Sequence, residues 1–171
     1  MASRTSRPAG GYLTPTSAPA GKRFDLSSLL GYRLQRLSGS FAALTQREVE
    51  DMGGVSLPEY RILAILHSTG PAGVVALQQA LFIDKAWISR TVSKLADRKL
   101  VTPIADPGDA RRTLWRVTSE GARIARMLTE RSVLRQARIL KGLTDSEIKQ
   151  FFDLIARVQE SVDKATSKIT G

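Results

Sequence analysis

Two short stretches of the chain hold side chains suited to gripping a polyanion. Residues 84–99, DKAWISRTVSKLADRK, put Ile88, Val92 and Leu95 on one stripe of a helix and spread Lys85, Ala86, Ser89, Arg90, Ser93 and Lys94 across the other side. Small residues let a backbone approach base edges, a guanidinium pairs with guanine, and a hydroxyl reaches a base or a phosphate. Arg90 is thus the candidate for guanine, and Ser89 and Ser93 for a base or phosphate. Lys85 falls in the first turn, where exposed backbone N–H groups also favour phosphate. No acid stands three or four residues from Arg90, so its own helix does not neutralise it. Trp87 sits at the border of the two faces, where it either packs against a neighbouring helix or stacks on a sugar or a thymine methyl. Further on, Asp106, Pro107, Gly108 and Asp109 set a turn, and Arg111 and Arg112 follow at once. Asp109 can hold Arg111 by an ion pair, and an arginine held at the end of a narrow ribbon suits the negative potential of an A/T-rich minor groove.

The composition agrees with that chemistry. Among 171 residues, 26 Lys and Arg stand against 16 Asp and Glu, a net charge of +10, so nucleic acid is the expected partner ahead of an anionic membrane surface. The excess is uneven: residues 82–116 carry eight bases against four acids, whereas residues 24–81 carry four against five. With no cysteine and His67 as the one histidine, disulfides, thiolate redox sensing and zinc sites built on Cys or His clusters are excluded. There is no Gly-rich phosphate loop or nucleophile elbow, and no acid adjoins His67, so neither catalysis, a metal nor a cofactor is expected. Apolar runs fall short of the roughly 20 residues a membrane span needs, and the N-terminus lacks the apolar core of a signal peptide. A cytoplasmic chain with no membrane partner is expected.

Those side chains need elements to position them. Residues 1–23, rich in Pro, Gly, Ser and Thr, show no period and read as a flexible basic arm, followed by a single domain over 24–171. From Asp25 onward Leu26, Leu30, Leu34, Leu37, Phe41 and Leu44 recur at steps of three and four, which predicts one long amphipathic helix to about Asp51, stopped by Gly53 and Gly54. Ser56 and Glu59 form a capping box, with Pro58 in the first turn, for a second helix that buries Tyr60, Leu63 and Leu66. Gly70, Pro71 and Gly73 end it, Val75 to Leu81 make a short third helix, and Asp84 caps the fourth. LVTPI and TLWRVT read as strands joined by the turn ADPGDARR. Thr118 begins a fifth helix reaching about Lys141. Thr144 and Glu147 cap a last one, whose Ile148, Phe151, Ile155, Val158, Val162, Ala165 and Ile169 carry coiled-coil spacing.

Three short helices followed by a basic hairpin make a winged helix-turn-helix, a mainly α fold with a small β-hairpin wing. One helix of such a fold fills the major groove and the hairpin tip reaches the adjacent minor groove. The winged core spans 56–118. The helices over 25–51 and 119–169 are left with apolar stripes that must be buried somewhere, so they are expected to pair two copies of the chain. Two-fold symmetry then sets two recognition helices about one DNA turn apart, on a near-palindromic site.

The segments SLPEYRILAIL (56–66), DKAWISRTVSKLADRKLV (84–101) and DPGDARRTLWRVTSEG (106–121) resemble the multiple-antibiotic-resistance regulator (MarR) family of bacterial transcription factors, with similarity over about residues 25–168. The resemblance implies obligate dimerisation, binding to a double-stranded DNA operator, and family roles for Ser89, Arg90 and the Asp109/Arg111 pair. It further implies a ligand between dimer helices and winged domain. Tyr32, Arg36, Tyr60, His67 and Trp115 are candidates to face it, although each can instead be plain core or surface. By the same analogy the effector is a small aromatic acid or its coenzyme A thioester, and the basic flank of the fifth helix (Arg123, Arg126, Arg131, Arg135, Arg138) favours an anion. Two positions depart from the family pattern: Val74 replaces the usual Thr or Ser cap of the third helix, and Phe82 replaces a Gly in the turn before the recognition helix. A left-handed backbone at Phe82 would cost about 1–2 kcal/mol, so a differently shaped turn is expected there.

The function these readings point to is a homodimeric, sequence-specific transcriptional regulator, a repressor that a small ligand releases from its operator. The alternative is a sequence-blind architectural nucleic-acid-binding protein, which the charge alone would permit. Specific binding survives competitor DNA, and phosphate-only binding does not.

Overall fold

Local caps and turns account for nearly every element boundary. The computed structural model describes residues 25–170, so the arm expected over residues 1–23 lies outside the described residues. A 3-10 turn (Leu26–Ser28) leads into α1 (Leu30–Gly53), α2 (Leu57–Thr69), α3 (Val74–Leu81) and α4 (Lys85–Asp97). Strands β1 (Val101–Asp106) and β2 (Asp109–Val117) follow, then α5 (Ser119–Leu140) and α6 (Asp145–Thr170). The first long helix begins later than its apolar period suggests. Asp25 caps the 3-10 turn instead, taking the Ser27 N–H at 2.9 Å and the Ser27 hydroxyl at 2.8 Å, and these bonds hold its carboxyl below the usual carboxylate range. At the other end α1 runs through Gly53, and Gly54 closes it in the left-handed region, at φ 57°.

The capping box opens α2 as expected, with Glu59 Oε2 accepting the Ser56 N–H at 2.7 Å and Ser56 Oγ accepting that of Glu59 at 3.4 Å. The α3–α4 turn overturns the expectation of a different shape, because Phe82 does adopt the left-handed conformation (φ 53°, ψ 40°). Two buried anchors explain it. Leu77 before the turn and Ile88 after it are fully buried, and each is worth about 1.5–3 kcal/mol of burial, which outweighs the backbone cost at Phe82. The Phe82 N–H still reaches the Gln78 carbonyl at 2.8 Å, and Gly73 rather than Val74 is the N-cap of α3.

The hairpin is tighter than ADPGDARR suggests. Its strands pair from Val101↔Val117 to Ala105↔Thr113, the register shifts at Ala105/Asp106, and Asp106 pairs with Asp109 around a Pro107–Gly108 tip. Asp106 Oδ1 accepts the Gly108 N–H at 2.9 Å, which closes that tip and draws residues 109–112 into the strand. Ala72 adds a short third edge, exchanging backbone bonds of 3.1 and 2.9 Å with Trp115.

One apolar core joins these pieces: Ile62, Leu63 and Leu66 of α2, Leu77 of α3, Ile88, Val92 and Leu95 of α4, and Ile124, Ala125 and Leu128 of α5. The start of α5 is clamped to the turn between α4 and β1. Thr118 donates its hydroxyl to the Lys99 carbonyl at 2.9 Å and accepts the Gly121 N–H at 3.1 Å, and a Cβ at Gly121 would stand 2.1 Å from the Leu100 carbonyl oxygen. Only glycine admits that approach.

The terminal helices differ. In α1 the apolar stripe Leu30, Leu34, Leu37, Phe41 and Leu44 is exposed. Residues 149–167 of α6 are exposed throughout, Phe151, Ile155, Val158 and Val162 included. The α6 cap is in place, since Glu147 accepts the Thr144 N–H and hydroxyl, both at 2.8 Å, which holds its carboxyl below the usual range. Among the described residues no helix is long and apolar enough to cross a membrane.

Candidate nucleic-acid interface

Helix α4 divides as its sequence requires. Asp84 caps it, accepting the Trp87 N–H at 3.0 Å. Ile88, Thr91, Val92 and Leu95 are buried, while Lys85, Ala86, Ser89, Arg90, Ser93 and Lys94 are exposed on the far side. Trp87, left open between packing and DNA stacking, is half-buried against the core. Ser93 spends its hydroxyl hydrogen on the Ser89 carbonyl at 3.0 Å, which leaves it chiefly an acceptor in this conformation.

The end of α4 is fastened by a residue that sequence reasoning passed over. Arg98 donates to the Gly54 carbonyl at 2.7 Å and to Glu59 Oε2 at 3.4 Å, so the carboxylate that caps α2 also anchors the C-terminus of α4. Lys99 then turns the chain in the left-handed region (φ 58°), and the Leu100 N–H bonds the Leu95 carbonyl at 2.9 Å. The capping box is legible locally. Its second duty toward Arg98 has no local signal.

In the wing, Asp109 does more than orient one arginine. Its Oδ1 accepts both the backbone N–H and the Nε of Arg111, each at 3.1 Å, and its Oδ2 lies 3.4 Å from Arg112 Nε. The two guanidinium groups remain open to solvent, with side chains 91% and 75% exposed. They are steered without being covered. Between wing and helix lies a groove bordered by Val75 and Gln79 of α3, Lys85 and Ser89 of α4, and Arg112 of β2. Val75 and Gln79 were not singled out in the sequence, because a third helix of eight residues gives no face assignment until it is docked.

The candidate ligand residues stand on α1, α2 and β2. Arg36 lies over the Tyr32 ring, 6.0 Å from its centroid, at the beginning of α1. Tyr60 is buried at the α2–α5 junction, its hydroxyl 3.2 Å from Ser132 Oγ and 3.4 Å from Thr129 Oγ1. His67 is exposed in the last turn of α2, and Trp115 borders the groove beside the wing. The basic flank of α5 is partly neutralised. Arg135 is buried and paired with Glu48, Arg138 reaches the same carboxylate at 3.4 Å, and Arg123 binds Glu120 at 2.7 Å. The Arg123 guanidinium holds the Glu120 carboxyl below the usual range. Among the described residues no group of three or more His, Cys, Asp or Glu side chains could hold a metal.

Residues 53–112, which contain α2 through most of the wing, match the MarR family. The chain is 31% identical over 110 residues to the HTH-type transcriptional repressor NicR of Pseudomonas putida, covering 64% of this chain and 69% of that protein. It superposes on the PcaV transcriptional regulator of Streptomyces coelicolor, solved in complex with its natural ligand, at a TM-score of 0.67 with 28% identity, over 82% of this chain and 99% of that one. A MarR/EmrR family regulator from Acinetobacter sp. ADP1 aligns at a TM-score of 0.75 with 22% identity, again over 82% and 99%. The recognition helix, the aspartate-braced wing and these matches lead to one assignment: the chain belongs to the MarR family of winged-helix transcriptional regulators.

Proposed function

We propose that the protein is a homodimeric, sequence-specific DNA-binding repressor. In this reading the winged core over 56–118 binds DNA, while the flanking helices over 25–51 and 119–169 pair two copies. The observation that carries it is the outer face of α4: Lys85, Ala86, Ser89, Arg90, Ser93 and Lys94 lie exposed beside the braced Arg111 and Arg112. Arg90 reads a guanine edge in the major groove, Lys85 and Lys94 hold phosphates, and the wing arginines enter the minor groove. Trp87 supports the helix from its half-buried border position. The exposed stripes of α1 and α6 favour the dimer, and Leu30 borders the same open depression as Leu154 and Val158. NicR's name as a repressor supports repression.

The test begins with duplexes selected by the protein from a random-sequence pool. The expected outcome is a near-palindromic consensus whose binding survives a large excess of random competitor DNA. Loss of binding to competitor at every sequence establishes the architectural alternative instead.

Release by a small anionic aromatic acid, or its coenzyme A thioester, completes the proposed cycle. That PcaV is solved with a natural ligand supports a small-molecule effector, and the exposed Arg36 guanidinium over Tyr32 favours an anion. An effector that weakens DNA binding tenfold supplies about 1.4 kcal/mol of coupling, and DNA weakens the effector by the same factor. Titration of aromatic acids and their thioesters into the DNA complex, read by fluorescence anisotropy, checks it. Release by none of them, with no heat of binding to the free protein, removes the sensor and leaves a constitutive repressor.

A further inference from the structure

Phe82 combines a strained backbone with an unburied ring. It occupies a left-handed backbone position that disfavours a side chain (φ 53°), and its large apolar ring is 85% exposed. The burial of Leu77 and Ile88 carries the backbone cost, while the ring itself gains little inside its own chain. Its neighbours explain where the contact can come from. Phe82 shares a depression with Val75 and Gln79, and the same Val75 and Gln79 border the groove that holds Lys85, Ser89 and Arg112. The ring therefore lies at the edge of the basic groove, just before the first turn of α4.

We propose that Phe82 is a DNA-contacting residue, its ring packing on an apolar part of the duplex, a thymine methyl or a deoxyribose, beside the recognition helix. The inference rests on the DNA-binding reading above. The adjoining groove bears Lys85 and Arg112, and Arg90 stands exposed on the same helix as Lys85, which selects a polyanion over a protein partner; Asp84, which also borders the Phe82 depression, spends its carboxylate on the α4 cap. The contact is sequence-tolerant at a sugar and favours A·T pairs at a thymine methyl. It adds affinity that no charge supplies, because apolar packing on the duplex releases no counterion.

The experiment uses the full-length chain and a duplex that wild-type protein has selected from a random pool. Phe82→Ala removes the ring and retains the strained backbone. Phe82→Gly removes the ring and relieves the strain. Both variants are expected to bind about tenfold more weakly with an unchanged log–log salt slope, while Phe82→Gly melts about 2–4 °C higher than wild type. Weaker binding by a more stable variant separates a contact from a folding defect. If Phe82→Gly binds as tightly as wild type, the residue only shapes the turn and the proposal fails.

A duplex with uracil in place of thymine distinguishes the two sources. Wild-type loss that Phe82→Ala does not share assigns the methyl, and an equal deficit of the variant on both duplexes assigns the deoxyribose. Arg90→Ala serves as the separate control on the underlying reading. A duplex bound well by wild type and poorly by Arg90→Ala, but normally by both Phe82 variants, refutes the Phe82 contact and keeps the recognition helix. Failure of the wild type to select any duplex refutes the reading beneath both.

Discussion

The winged core and the terminal helices obey the same helical periodicity and end in opposite states. In α2 and α4 the apolar positions Ile62, Leu63, Ile88 and Leu95 are fully buried, whereas in α6 the equally regular Phe151, Ile155 and Val158 are exposed. The core is closed by its own chain: α4 is fastened by Arg98 to α2, and α5 by Thr118 and Gly121 to the turn before β1. Helix α6 has a complete N-cap and no buried side chain among its described residues. The contrast teaches that an apolar stripe can be written as clearly as a core and still find no cover within its own chain.

The sharpest way to break this comparison is to charge the seam. Replacing Phe151 and Ile155 together by Glu is expected to abolish self-association, at a cost of several kcal/mol for burying unpaired charge, while the winged core stays folded. Sedimentation equilibrium reads the first effect and circular dichroism the second. Unchanged association would move the seam elsewhere. Within the core, Gly121→Ala drives a methyl into the Leu100 carbonyl and should lower stability by about 3 kcal/mol, measured by urea unfolding. An unaffected midpoint would mean that α5 is not clamped to the turn before β1.

Smaller effects separate the two parts of the DNA-binding face. Arg90→Ala should cost about 1–3 kcal/mol on the selected duplex and little on random DNA. Arg111→Ala should weaken both and lower the salt slope by about one. Equal losses from the two variants on both duplexes would dissolve the division between helix and wing. The least of these changes is expected from Ser56→Ala, about 1 kcal/mol of stability through loss of the α2 cap. A larger loss would show that Glu59, freed from its box, also releases Arg98.

Where the physics is local, the chain was transparent before any coordinates. The caps at Ser56, Asp84, Thr118 and Thr144 and the Asp109/Arg111 brace join residues two or three positions apart, and a short peptide can form such bonds wherever it lies. The buried stripe of α4 follows from helical period in the same way. The fold class and its basic face were therefore legible.

Tertiary structure decided what depends on partners distant in sequence or on competing terms. Arg98 meets Glu59 across 39 positions, and Arg135 meets Glu48 across 87. No spacing rule encodes either pair. At Phe82 local preference argued against the left-handed turn, but the burial of Leu77 and Ile88 on its two sides prevailed. Tyr32 and Arg36 stand on α1, Tyr60 and His67 on α2 and Trp115 on β2, and only packing decides how those elements face one another. Short-range bonds are written in neighbouring residues, whereas side chains meet across the fold only after packing has chosen which helix faces turn inward.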